Sequence, residues 1–233
     1  MTKEEYLTEL FKAYSPIAIL SDKNECKVLR VKHKTLGKYI VIRSFQKSVD
    51  AYEKLYNIAC DNLPLIYDVI NLDDGQIVLE EFISGVTVAE VMESGKYRYI
   101  GAKKVLKAVC NALTVLHERN IVHRDIKPEN IIISDDGKIV LIDFNASREI
   151  KKADKDTVIM GTVGYASPEQ LGIMQSDART DIYALGILLN VMLTGHHPSE
   201  KIAKGKVGKI VRKCTSINPD ERYKNVKSFL DSL

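Results

Sequence analysis

The chain is poor in cysteine and carries no excess of charge of one sign. Cys26, Cys60, Cys110 and Cys214 form no CxxC pair, so neither a zinc site nor a disulfide framework is signalled and a reducing, cytoplasmic setting fits best. Lys plus Arg number 34 against 31 Asp plus Glu, a formal +3, and that balance does not single out nucleic acid as a partner. The Lys-rich stretch from Lys201 to Lys213 reads as a solvated face. No apolar run reaches the roughly 20 residues that a membrane helix needs, and the start MTKEEYLTEL is too acidic for a signal peptide, so a soluble chain without a membrane segment is expected. Nor is disorder signalled, because the apolar fraction is ordinary and the charges are mixed in sign. A length of 233 residues allows one large domain or two small lobes sharing a cleft.

What is present centres on Ile121 to Ile133, IVHRDIKPENIII, where a polar octet is clamped between two runs of β-branched apolar residues. Placing His123, Arg124, Asp125, Lys127, Glu129 and Asn130 between buried strands costs desolvation unless each finds a partner, so the cluster reads as a site. A salt-bridged turn is the bland alternative.

The surrounding chain has a clear order. Thr2 followed by Glu5 predicts a capping box, and Leu7, Leu10, Phe11 and Tyr14 recur at helical spacing until Pro16. From Ile17 to Phe45 the pattern changes to three antiparallel strands, IAIL, KVLRV and KYIVIRSF. A short helix is expected between Lys47 and Ile58, then LIYDVI and QIVLEEFISG as a hairpin about Asp73-Asp74-Gly75, completing five strands. After Gly85 the pattern is helical: Val88 to Ser94, then Gly101 to Arg119 with Val105, Val109, Ala112, Leu113 and Leu116 on one face. Further on stand KIVLIDFNASR, the stretch GTVGYASPEQ, the apolar helix opened by Asp181, and KIVRKCTSINPDERY.

These stretches resemble, in order and at compatible spacings, the motifs of protein kinases, and in particular bacterial Ser/Thr kinases. The octet matches H-R-D-x-K-x-x-N, Asp143-Phe144-Asn145 stands for D-F-G, and Ser167 to Glu169 stands for A-P-E. The resemblance implies an α+β, two-lobed fold: residues 1–84 an N-lobe with a five-stranded antiparallel sheet plus helix, residues 85–233 a mainly helical C-lobe, and ATP in the cleft. It implies a Ser/Thr protein kinase using ATP and Mg2+ on a protein hydroxyl. Asp125 would orient that hydroxyl and accept its proton, Lys127 would contact the transferred phosphoryl group, and Asn130 and Asp143 would hold magnesium. Val28, Val41, Glu81, Ile83 and Ile132 would surround the nucleotide, with Glu81 to Ile83 offering backbone groups to adenine. Arg43 takes the place of the strand lysine, and Glu53 is the expected helix partner for it. Thr157 is the expected phosphorylation site, with Arg124 as its charge partner, and Thr162 would line the substrate site. Asp181 would support the catalytic-loop backbone, and Arg222 would pair with Glu169 in a buried ion pair.

The chain also departs from the pattern. Ser21, Lys23 and Cys26 stand where three phosphate-approaching glycines belong, which predicts looser or differently shaped phosphate binding. Arg43 keeps the charge but not the geometry of lysine, and either retains a phosphate role or is a surface-strand cation; Lys23 or Lys27 could reach the phosphates instead. Glu80 guards the pocket behind adenine and could face Arg43 or the helix. Asn145, tolerant of positive φ, is expected to keep the turn that glycine provides. The segment between Pro198 and Gly208 is abbreviated, which predicts a shortened partner-docking helix. Retained Asp125, Lys127, Asn130 and Asp143 favour reduced but real catalysis. The alternatives are a pseudokinase that binds nucleotide or acts as a scaffold, and, more remotely, a small-molecule phosphotransferase.

Overall fold

The computed structural model describes residues 1–23, 26–149, 164–171 and 176–233. They divide into two compact units, Met1–Cys60 with Pro64–Ser84, and Asp61–Leu63 with Gly85–Leu233.

The first unit opens with helix α1, Lys3–Ala13, whose start is fixed by reciprocal bonds between Thr2 and Glu5. Strand β1, Tyr14–Lys23, follows directly, then β2, Cys26–His33, and β3, Tyr39–Phe45. Helix α2 covers only Asp50–Leu55, and β4, Ile66–Leu72, and β5, Gly75–Glu81, complete an antiparallel sheet of order β1-β2-β3-β5-β4. Pro16 lies in β1, an edge strand, where its missing N–H costs no central ladder bond. Tyr6, Leu7, Leu10, Phe11 and Tyr14 pack on Leu29, Val31, Ile40, Ile42 and Ile77, so the apolar stripe of α1 covers one face of the sheet.

Helix α2 is shorter than the 47–58 expectation. Val49 occupies its N-cap position without a side-chain cap, and Tyr56 is non-helical while Asn57 has φ 55°, which ends the run.

In the second unit β6, Gly85–Thr87, leads into α3, Val88–Glu93, and then α4, Tyr99–His117. Strand β7, Ile121–Val122, is followed by a 3-10 turn at Pro128–Asn130, β8, Ile131–Ser134, and β9, Ile139–Leu141. The short β10, Arg148–Glu149, pairs with β7, and β8 lies between β6 and β9. Helices α5, Ala178–Thr194, α6, Gly205–Cys214, and α7, Val226–Leu230, complete the unit. Most of α5 is buried, as befits a helix apolar on nearly every side. At Gly186 of α5, an added Cβ would fall 2.3 Å from Cβ of Cys214 on α6, so glycine is what lets these helices approach. Among the described residues no helix is long and apolar enough to cross a membrane.

Candidate functional site

Within the first unit, strand register gathers one set of the candidate residues. Val28 is opposite Arg43, and Val41 is opposite Glu80. Alternation along strands therefore puts Val28, Val41, Arg43 and Glu80 on one face. Arg43 Nε donates to Glu80 Oε1 at 2.7 Å, and the two residues are only 5% and 3% exposed. Arg43 is thus a buried, carboxylate-paired cation rather than a surface one.

The expected Glu53–Arg43 pair is not formed. Glu53 is exposed on α2, and its Oε1 accepts from Asn71 Nδ2 on β4 at 2.7 Å. The cause is local: a six-residue helix without a capped start presents Glu53 to the hairpin, and Glu80 reaches Arg43 from the neighbouring strand.

The Glu81 N–H already donates to Leu65 O at 2.9 Å, so it is not among the donors that a ligand could use; Ile83 follows β5 and is half-buried. Lys27 is opposite Ser44, one residue out of phase with Val28 and Arg43, and lines an open recess with Lys3, Lys23, Ser44 and Gln46. Ser21, Lys23 and Cys26 lie within the β1–β2 pairing, Ser21 opposite Val28 just after a register shift between Ile19 and Ser21, and Lys23 opposite Cys26.

The second unit brings together Asp125, Lys127 and Asn130. Lys127 Nζ donates to Asp125 Oδ2 at 2.7 Å, and Asn130 Nδ2 donates to both Asp125 O and Oδ2 at 2.8 Å. The 3-10 turn at Pro128–Asn130 folds the asparagine back over the aspartate, with Asn130 N–H bonded to Lys127 O at 3.1 Å. Because the amide nitrogen serves Asp125, Oδ1 is left as the acceptor end of Asn130. Asp143 follows β9 at φ 69°, and its Oδ1 accepts from Asn145 N at 3.3 Å. The left-handed residue of this turn is therefore Asp143, not Asn145 as expected; an aspartate tolerates that region through the local bond its side chain makes. Ile132 lies half-buried on β8.

A buried carboxylate holds the loop from beneath. Asp181, in the first turn of α5, accepts from His123 N at 3.0 Å, Arg124 N at 2.9 Å and His117 Nε2 at 2.8 Å. Burial works to raise its pKa, but the bond and charge of His117 and the Arg124 N–H outweigh it and hold the carboxyl below the ordinary value. Arg124 is held at φ 68°, in the left-handed region. His123 is fully buried, and burial pushes its pKa down against the nearby carboxylates. Its Nδ1 accepts from Asp125 N at 3.3 Å while Nε2 faces Ile142 O at 3.3 Å, the pattern of a neutral imidazole protonated on Nε2.

Glu169 and Arg222 form a two-pronged pair, Nη1 to Oε1 at 2.6 Å and Nη2 to Oε2 at 2.9 Å, both buried. Next to it, Gln170 Nε2 donates to Arg124 O at 2.8 Å, tying this segment to the loop. Sequence reasoning singled out neither Gln170 nor His117. Gln170 ends the quoted stretch GTVGYASPEQ and His117 stands six residues before the octet, but their partners are distant in sequence. Thr157 and Thr162 lie outside the described residues.

Comparison with known proteins gives a consistent picture. The family model described as protein kinase domain matches residues 22–233. The serine/threonine-protein kinase PknL of Mycobacterium tuberculosis is 38% identical over 157 residues, covering 66% of this chain and 39% of that protein. A probable serine/threonine-protein kinase of Clostridium perfringens is 29% identical over 222 residues, 83% of this chain and 32% of its own length. An Aurora kinase of Eremothecium gossypii is 31% identical over 209 residues, 89% of this chain and 56% of its own. The chain thus spans about a third of the length of the first two of these relatives.

Proposed function

We propose, from the premise that this chain belongs to the protein kinase family, that it transfers the γ-phosphoryl group of ATP to a serine or threonine hydroxyl of a protein. The observation that carries the proposal is the convergence of Lys127 and Asn130 on Asp125, at 2.7 and 2.8 Å. That arrangement fixes a carboxylate that can hold a hydroxyl by hydrogen bond and take its proton as the oxygen attacks phosphorus. In the same reading Lys127, already beside Asp125, shifts part of its charge to the phosphoryl group in transit. Arg43, held by Glu80, supplies positive charge for the nucleotide phosphates. The free thiols suit a reducing compartment, so the reaction is assigned to the cytoplasm.

The protein kinase family generally uses ATP with Mg2+. The donor set of the second unit fits such an ion: Asn130 Oδ1 and the Asp143 carboxylate are hard oxygen donors, and magnesium is commonly held by one or two such groups together with substrate phosphates. When bound it would neutralise charge on the phosphates.

A pseudokinase that binds nucleotide without turnover is favoured by one observation, the side-chain-bearing Ser21, Lys23 and Cys26 standing within the β1–β2 pairing where the family pattern has glycine. Autophosphorylation and peptide phosphorylation with labelled ATP and magnesium separate the two. Under the proposal label is incorporated and Asp125→Asn removes it by at least 100-fold while ATP still binds. No incorporation into either peptide or protein, with magnesium-dependent ATP binding intact, would sink the catalytic reading and leave the pseudokinase.

A further inference from the structure

In the first unit the carboxylate that holds Arg43 belongs to the sheet, and the carboxylate of the helix is committed elsewhere. Glu80 lies on β5, the strand hydrogen-bonded to β3, and its Oε1 is 2.7 Å from Arg43 Nε. Two residues of adjacent, paired strands move together. By contrast, Glu53 belongs to a polar circuit that fastens both ends of α2 to the β4–β5 hairpin. Val49 N donates to Gln76 Oε1 at 3.0 Å, Gln76 Nε2 donates to Asn71 Oδ1 at 3.0 Å, and Asn71 Nδ2 donates to Glu53 Oε1 at 2.7 Å. Gln76 is fully buried at the centre of this circuit, while its Asn71–Glu53 end is exposed.

The chemistry of arginine explains why such a pair is workable. A guanidinium has five N–H donors in a planar fork, and the bond to Glu80 uses the one on Nε. The Nη donors are not needed for that bond. A lysine in the same place would have its three donors on one nitrogen, so a phosphate would have to meet the same atom that the carboxylate holds, whereas the guanidinium spreads its donors over three nitrogens. Arginine at 43 and glutamate at 80 therefore complement one another, and neither makes sense as an isolated substitution.

We propose that Glu80 is the positioning residue for Arg43, and that Arg43 is set for its phosphate contact by this sheet carboxylate and not by the helix carboxylate Glu53. The proposal rests on the reading that Arg43 contacts the phosphates of ATP. Its consequence is that a displacement of Glu53 with α2 neither makes nor breaks the Arg43–Glu80 pair.

The test compares magnesium-ATP affinity by calorimetry, and KM for ATP against KM for peptide, in Glu53→Gln, Glu80→Gln, Glu80→Asp and the doubly neutral Arg43→Met/Glu80→Gln. Glu53→Gln keeps an acceptor for Asn71 and lies at an exposed position, so its fold is secure, and both constants should stay within twofold of the parent. Glu80→Gln should weaken ATP at least fivefold and raise KM for ATP with KM for peptide unchanged, with Glu80→Asp in between. The double variant removes both buried charges and tests the premise: it should lose at least tenfold in ATP affinity. Retention of parental affinity there would refute the phosphate role of Arg43. A loss in the double variant together with a fivefold or greater loss in Glu53→Gln would overturn the assignment to Glu80 while leaving that role standing. Should Glu80→Gln not fold, the Glu53→Gln arm and the Arg43 Nε–H proton resonance in Glu80→Asp decide: a proton protected from exchange in the parent and in Glu53→Gln, and exposed in Glu80→Asp, is the expected result.

Discussion

Replacing Asp181 with asparagine should uncouple the fold from the chemistry in a measurable way. The parent carboxylate accepts from His123 N and Arg124 N on its two different oxygens, and from His117 Nε2 as well. An asparagine amide has one oxygen and one NH2, so in either orientation one backbone N–H meets another donor. Hydrogen bonds to a charged acceptor contribute roughly 1.5–3 kcal/mol each, so losing one and leaving its donor buried should cost on the order of 2–4 kcal/mol. Part of that is recovered locally. Arg124 at φ 68° sits in a region that costs a residue with a Cβ about 1–2 kcal/mol, and with its N–H bond gone the backbone can relax towards negative φ. That relaxation rotates the peptide leading into Asp125. A misplacement of about 1 Å in a reacting group is worth roughly 100-fold in rate. The expected outcome is therefore a fall in kcat of about 100-fold, KM for ATP within a few-fold of the parent, and a lowered urea midpoint followed by far-UV circular dichroism. A variant equally destabilised but with parental kcat would refute the reasoning, because the bonds would then serve the fold alone.

The remaining predictions concern the buried pair and acid stability. Arg222→Met strands a buried carboxylate and should destabilise by about 3–5 kcal/mol, whereas Arg222→Met with Glu169→Leu should recover most of that loss; urea denaturation of both checks it, and a double variant no better than the single one would contradict the account. Stability should decline in two steps as pH falls. His123 is buried with its pKa pushed below the ordinary value near 6.5, so the unfolded chain takes up that proton first and the loss begins as pH drops below about 6.5. Burial acts to raise the pKa of Glu169, but the bonds and charge of Arg222 and the Thr180 hydroxyl prevail and hold it below its ordinary value, as Asp181 is also held. Their contributions are complete above the unfolded carboxylate range and disappear as pH falls through the lower folded values. A urea midpoint that stays level from about pH 7 to about pH 5 would contradict the first step, and one that stays level from about pH 4 downwards would contradict the second.

Much of the fold was legible because its signals are local. The Thr2/Glu5 capping box needs only residues three apart, the five strands announce themselves by β-branched alternation and turn residues, and the octet between Ile121 and Ile133 is contiguous. The failures share the opposite property. Whether Arg43 meets Glu53 or Glu80 depends on the length of α2 and the register of β3 against β5, and both candidates are acidic residues at plausible distances along the chain. The 47–58 segment has enough helical residues to suggest three turns, yet an uncapped Val49 and the left-handed Asn57 limit it to six residues. The turn after β9 was misassigned for a related reason. Composition favoured Asn145 for positive φ, but the backbone places the left-handed residue at Asp143, two positions earlier, where the side chain can accept from Asn145 N–H. His117 and Gln170 were missed because each acts on a residue more than 40 positions away.

The departures from the protein kinase pattern fall unevenly, and their distribution argues for compensation rather than decay. In the second unit the groups to which the proposed reaction assigns the proton, the phosphoryl charge and the metal remain, and the supports under them, Asp181, Gln170 and the Glu169–Arg222 pair, are buried and hydrogen-bonded. In the first unit the changes come as matched sets. Arg43 arrives with a glutamate on the adjacent strand in hydrogen-bond contact, and a helix glutamate freed of that duty is absorbed into the Asn71–Gln76 circuit. Random loss of function would be expected to leave buried charges unpaired, since a single unpartnered arginine at 5% exposure would cost several kcal/mol. A sheet selected only as a scaffold could remove that cost by placing apolar residues at both positions, which is often neutral or stabilising. Retaining a buried guanidinium and supplying it with a carboxylate satisfies neither economy of folding nor indifference to charge. It is what a sheet that still needs a positive charge at residue 43 would do, and the ATP affinity of the doubly neutral variant measures how much that charge is worth.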